Sequence, residues 1–270
     1  MLTELESALA LLLLLLAGST LGMVIRRFLS ERHRSRETTE LIQLVMTMLV
    51  TFAALVLGLL TNSVKQHFDT IENDLRTVSI QLIQLDRSLR EYGPAAEPAR
   101  VMLRDYTAAR IAAAWPDEPP PPGYDPSKLP SSPASNLNGE RMNGLLAAVE
   151  TAIRSLDPQD RRHRELQQSC INQFEAFMRA RWKVIEEAHG SISMPFYLVL
   201  AFWLVIIFAS FGLSAPHNIL TMVTILLGAL SIASVVFVIL DLDTPFTGFF
   251  TVSSAPLRDA LVELSDNLRH

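Results

Sequence analysis

Thr47, Thr51, Ala54, Gly58, Asn62 and Lys65 recur at intervals of 4, 3, 4, 4 and 3 residues, which puts hydroxyl, small, amide and cationic groups on one face of a helix. Such a stripe can line a narrow path for small inorganic ions, with Asn62 and Lys65 at its mouth attracting anions. Small residues also let two membrane helices approach closely, so packing is the competing reading. Gly228, Ser231 and Ser234 form a similar stripe at intervals of three, and there close packing is the expected use. Asp241 and Asp243 could bind a cation, or stand exposed at a helix-end turn. Arg161, Arg162 and Arg164 could hold an anion or a lipid headgroup, or be solvated and paired with nearby acids. Arg26, Arg27, Arg32, Arg34 and Arg36 could sit on anionic membrane lipid.

Other chemistries find no support. The sequence has no glycine-rich phosphate loop, no nucleophile elbow and no His-Glu-x-x-His. The six histidines, His33, His67, His163, His189, His217 and His270, are scattered without ligand spacing. Neither an enzyme nor a bound cofactor is expected. Cys170 is the single cysteine, which rules out an intrachain disulfide and reads as a small, inert core residue. Residues 62–194 carry 16 Lys/Arg against 18 Asp/Glu, whereas a nucleic-acid partner calls for a strongly basic face.

The elements that must position these groups are helical. Four apolar runs, Ser7–Ile25, Leu41–Thr61, Phe196–Leu213 and Ile219–Leu240, contain no charged residue or histidine. Each has the ~20 residues needed to cross a bilayer core of ~30 Å. A proton-coupled pump needs an ionisable group inside the membrane, and none is present. The residues before the first run include Glu4 and Glu6 and no Lys or Arg, so that run reads as a retained membrane helix rather than a secretory signal.

Beyond the second run, Val64, Phe68, Ile71, Leu75, Val78, Leu82, Leu85 and Leu89 follow one another at alternating intervals of four and three. This heptad seam predicts a long helix packed on others, continuous with the second span over Leu41–Tyr92 and stopped at Gly93-Pro94. Further helices are expected over Glu97–Trp115, over Glu140–Leu156, and from an Asp157-Pro158 start to His189, with Leu166, Cys170, Phe174, Phe177, Val184 and Ala188 on one face. The intervening segment, residues 116–138, holds eight of the fifteen prolines and reads as an exposed connector. After a turn at Pro245 and Gly248, Leu257, Leu261, Leu264 and Leu268 predict a short amphipathic helix returning onto the soluble bundle.

The fold class is thus an all-α membrane protein. Residues 1–61 form a first transmembrane hairpin, 62–194 an inserted antiparallel helical domain, 195–240 a second hairpin, and 241–270 a turn and amphipathic helix. Basic residues near the spans number five on one face and six on the other, so the positive-inside rule does not orient the chain.

Three blocks carry a family resemblance. The first is Leu57-Gly58-Leu59-Leu60 with Leu85-Asp86-Arg87-Ser88-Leu89 and Tyr92-Gly93-Pro94. The second is Phe211-Gly212-Leu213 with Ala215-Pro216-His217-Asn218. The third is Pro245-Phe246-Thr247-Gly248 with Ser253-Ser254-Ala255-Pro256-Leu257-Arg258. Together they resemble a bestrophin-like family of bacterial four-span membrane proteins. Asn62-Ser63 and the Pro-Phe turn followed by Pro-Leu are similar to bestrophin channels, which are pentameric anion channels lined by their second spans. The resemblance implies a pore stripe of Thr47, Thr51, Gly58 and Asn62, narrowing at Leu55 or Leu59, and a cytoplasmic soluble block on a bacterial inner membrane. The chain departs from bestrophins in having only Phe52 as an aromatic between Leu41 and Thr61. Val64-Lys65-Gln66-His67-Phe68 replaces the Arg-Trp-Trp type of segment, and the tail offers few acids, Asp241, Asp243, Glu263 and Asp266 among them. Selectivity and calcium gating are therefore not carried over.

The function expected is a homo-oligomeric, pentameric ion channel with Thr47, Thr51, Leu55, Gly58, Leu59, Asn62 and Lys65 along its pore. The rival expectation is a non-conducting membrane scaffold or sensor whose helical domain binds a partner or ligand. The heptad seam serves either.

Overall fold

The computed structural model describes residues 2–28, 36–125, 137–188, 194–216 and 218–266. Among them are eight α-helices and no strand: α1 Leu2–Phe28, α2 Arg36–Tyr92, α3 Glu97–Ala114, α4 Leu137–Arg154, α5 Arg161–Glu187, α6 Met194–Ser214, α7 Ile219–Leu242 and α8 Ala255–Asp266. Arg32, Arg34, Leu268 and the middle of the proline-rich segment lie outside the described residues. The chain forms two compact units, one of Met1–Asp69 with Gly190–Thr251, the other of Thr70–His189 with Val252–His270.

Four helices of the first unit are long and apolar enough to cross a membrane. α1 packs against both α6 and α7. Gly18 lies beside Val205, Gly22 beside Ala209, and Gly212 beside Ser19. The matching order of these contacts makes α1 and α6 parallel. Leu11, Leu15, Leu204, Ile207, Phe208, Ala229 and Val236 fill the core between the helices. In lipid no hydrophobic force drives helices together, so close van der Waals approach must do it, and glycine permits the closest approach.

The small-residue stripe expected to pack α7 is offset from the observed one. Ser231 and Ser234 are exposed, while Ala229 and Ala233 are buried. An alanine gives nearly the same close approach and leaves no hydroxyl to satisfy.

In the second unit the heptad seam is the buried face of α2: Ile71, Leu75, Val78, Leu82, Leu85 and Leu89 are all buried. Burying each such side chain contributes about 1.5–3 kcal/mol relative to exposure. α2 stops at Gly93, whose φ of 107° suits only a residue without a Cβ. One 3₁₀ turn, Pro94–Ala96, leads into α3. Asp86 of α2 and Arg100 of α3 form a buried ion pair, Oδ1 to Nε 2.8 Å. α5 buries Cys170, Phe174, Phe177 and Val184. It begins three residues beyond the expected Asp157-Pro158 start, because Asp160 supplies the cap, accepting from the His163 amide at 2.8 Å. α8 packs on α3. Leu257, Ala260, Leu261 and Leu264 are buried, and the Trp115 indole N–H donates to the Val252 carbonyl at 2.7 Å. Arg258 and Glu118 pair at 3.0 Å.

Candidate functional site

The membrane-spanning part of α2 is the span least covered by its own chain. Only 6% of its apolar window is buried, against 33% for α1, 28% for α6 and 22% for α7. Ala53 is buried, and Met46, Leu49, Val56, Leu57 and Leu60 pack on the same side. At ~100° per residue, the stripe Thr47, Thr51, Ala54, Gly58, Asn62 and Lys65 lies roughly 100–180° round the helix from Ala53. All six are exposed in the single chain. A Cβ added at Gly58 would meet nothing within 4 Å. Within one chain, then, the stripe is not a packing surface. That task falls to Gly18, Gly22 and Gly212, which sequence reasoning missed. The signal was present as Gly18-x-x-x-Gly22 inside an apolar run.

The stripe's hydroxyls are tied down locally. Thr47 donates to the Gln43 carbonyl at 2.9 Å and Thr51 to the Thr47 carbonyl at 2.8 Å. Each hydroxyl hydrogen is spent on its own helix, leaving oxygen lone pairs on the exposed side. Lys65, expected at the mouth to attract anions, pairs with Asp69 one turn on, with both side chains about half exposed. An attracted anion therefore meets a screened charge rather than a full one. Leu55 and Leu59, 61% and 63% exposed, continue with Met48 and Phe52 into an apolar ridge beside the stripe.

Asp241 has a task other than holding a cation. It is fully buried, and its carboxylate accepts from the Phe249 amide at 3.0 and 3.1 Å and from the Phe250 amide at 2.8 Å. Gly248 lies over it with φ 138°, and a Cβ there would come within 2.5 Å of Oδ1. The carboxylate thus ties the turn after α7 shut. Asp243 ends the helix as its C-cap. No group of three or more potential metal ligands occurs among the described residues. Asp241→Ala would take the charged acceptor from two part-buried amides and is expected to cost about 1.5–3 kcal/mol. The apparent thermal unfolding temperature of purified protein checks this, and an unchanged value would contradict the clamp.

Charged groups of the second unit are mostly paired. Arg161 pairs with Glu165 at 3.0 Å in an exposed position, and Arg164 reaches the Asp160 carbonyl at 3.5 Å. Lys183 contacts Asp74 at 2.9 Å and Glu187 at 3.9 Å. A hydrogen bond with Asp74, followed by burial and the Asp74 charge, holds Glu187 above the ordinary carboxylate range. Burial pushes the Cys170 thiol up to about 11, so it carries no thiolate at neutral pH.

A family model described as Bestrophin-like domain matches residues 13–257. Comparison with curated proteins finds no match. Crystal structures of a bacterial Bestrophin homolog from Klebsiella pneumoniae superpose on this chain. A tyrosine-to-alanine mutant gives a TM-score of 0.66 at 17% identity, covering 96% of this chain and 98% of the other. A tryptophan-to-alanine mutant gives 0.67 at 17% identity, covering 98% of each. At that identity the likeness establishes the fold.

Proposed function

This chain belongs to the Bestrophin-like family, and from that premise we propose that it is a homo-oligomeric ion channel of a bacterial inner membrane, in which the second spans of neighbouring copies enclose the pore. One observation carries the reading: the hydroxyl and small stripe of α2 lies away from the face that the α2 span packs against its own chain, at Ala53, Leu49 and Leu60. A single chain with one uncovered stripe cannot enclose a path. A ring of copies, five by resemblance to bestrophin channels, brings the stripes together around an axis. Thr47, Thr51, Gly58 and Asn62 then face the lumen. The apolar ridge covers the neighbouring α2, and Leu55 and Leu59 at its border set the narrowest, dewetting-prone level. Lys65 and Asp69 stand at one mouth. The inserted helical block lies on the cytoplasmic side in this reading, as it does in the channels the chain resembles.

The expected substrate is a small inorganic ion moving down its gradient, and an anion is favoured. Bound hydroxyl hydrogens weaken that preference, because an anion needs donors and the threonines have spent theirs. Selectivity for anions over cations is accordingly expected to be modest.

Purified protein in liposomes with separate chloride and potassium gradients tests the proposal. Gly58→Leu and Thr51→Leu each place a branched apolar side chain on the stripe and are expected to cut flux by about tenfold, with oligomer size and unfolding temperature preserved. Unchanged flux in well-folded variants removes α2 from the pore. No flux from a well-folded wild-type oligomer, across pH and calcium, moves the assignment to a scaffold or sensor acting through the helical block.

A further inference from the structure

The last two spans share a turn but make little contact along their length. Between them lies a groove of about 530 Å³, within the ~300–1,000 Å³ of ordinary small-molecule sites. Its walls are Phe208 and Phe211 from α6 and Leu220, Thr224, Ile225 and Gly228 from α7. Gly228 keeps the floor open, since a Cβ there would reach only the Phe208 ring, at 3.8 Å. The Thr224 hydroxyl donates to the Leu220 carbonyl at 2.9 Å, so the wall demands no polar partner.

The polar end of the groove is cationic. Ser214 and Ala215 line it there, and the Arg26 guanidinium donates to the Ala215 carbonyl. Arg26 arrives at this end because α1 runs parallel to α6, held by the close approach of Gly18 and Gly22 to Val205 and Ala209. Arg27, next along, is exposed. The arrangement joins an apolar slot between two spans to the Arg26 guanidinium, with Arg27 exposed at the same end of α1. Apolar chain and anionic head are the two halves of one molecule.

We propose that this groove binds one anionic phospholipid, with an acyl chain between α6 and α7 and its phosphate held by Arg26 and Arg27. A bulk lipid would contact the same surface transiently. Here the walls add van der Waals contact on two sides of the chain while the arginines select the headgroup. Each basic residue near a membrane surface favours an anionic lipid by about fivefold.

The test is native mass spectrometry of the intact oligomer, delipidated and then titrated with phosphatidylglycerol or phosphatidylcholine. Wild type is expected to retain about one phosphatidylglycerol per subunit and to prefer it over phosphatidylcholine. Thr224→Trp fills the slot and is expected to abolish retention of either lipid. Arg27→Gln leaves the slot and should reduce the headgroup preference by about fivefold. Leu226→Trp, on an exposed position of α7 outside the groove, controls for a bulky residue in a span and should retain lipid as wild type does. Retention by Thr224→Trp equal to wild type overturns the site. So does a wild type that holds no lipid while Thr224→Trp breaks the oligomer, since the groove would then be filled by a neighbouring subunit. Equal uptake of both lipids by wild type overturns the arginine role.

Discussion

Gly22→Ala and Gly212→Ala are each expected to destabilise the membrane unit by about 3 kcal/mol or more, the upper range of overpacking effects. A Cβ on Gly22 would be driven into the Ala209 carbonyl oxygen, with the Leu213 amide nitrogen 2.9 Å away, and a Cβ on Gly212 into the Ser19 carbonyl oxygen. The obstructing atoms are backbone, so no rotamer change relieves the clash. α1 and α6 must separate, and separation gives up contacts along both helices, including those of Leu11, Leu15 and Leu204. The loss matters more in lipid than in water, because packing is what holds spans together there. A fall of roughly 5–10 °C in apparent unfolding temperature, at matched scan rate, is the expected readout. Gly144→Ala is the contrast: nothing lies within 4 Å of its added Cβ, and a helical Gly→Ala change there should stabilise by up to about 1 kcal/mol. Equal stability of Gly22→Ala and wild type would show that the helices do not cross this closely.

The second large effect lies in the other unit. Asp86→Ala is expected to cost about 3–5 kcal/mol, the usual penalty for leaving a buried charge without its partner. Arg100 and Asp86 are only 5% and 4% exposed. A second contact joins Nη2 to Oδ2 at 3.5 Å. Burial acts to lower the Arg100 pKa, but Asp86 and then Glu97 outweigh it and raise it, so the guanidinium stays charged. Glu97, at 3.0 Å from Arg100, is 46% exposed and solvent-screened, and so is a weaker partner than Asp86. The double variant Asp86→Leu with Arg100→Met removes both charges and should recover most of the loss. Tryptophan fluorescence follows the transition through Trp115, which is buried in this unit. Moderate salt should leave the Asp86 effect intact, whereas an exposed pair such as Arg161 with Glu165 is screened. A double variant as unstable as the single one would refute the buried-charge account.

Asp86 also shows where sequence reading stops. It stood inside a block that carried the family resemblance, yet its partner Arg100 follows 14 residues later across a turn, and no local pattern pairs them. The same holds for Asp241, read as a cation ligand or an exposed turn carboxylate. Its partners are amides at residues 249 and 250, reached only once the chain has reversed at Gly248. Periodic features were legible because they repeat a local rule. The uncharged runs of about 20 residues required spans. The four-three seam required a long helix with Leu75, Leu82 and Leu89 inward. Leu257, Leu261 and Leu264 required an amphipathic tail helix.

The sequence by itself determined the helical class, the four spans and the continuous second helix with its buried seam, because hydropathy and 3.6-residue periodicity act within a single element. Tertiary structure alone decided which small residues are contacts and which are free. Gly22 and Gly58 are both glycines in apolar helices, yet one touches the backbone of α6 and the other touches nothing. That difference depends on which helix comes to lie opposite, and a neighbour across space leaves no trace in the spacing of either strip of residues.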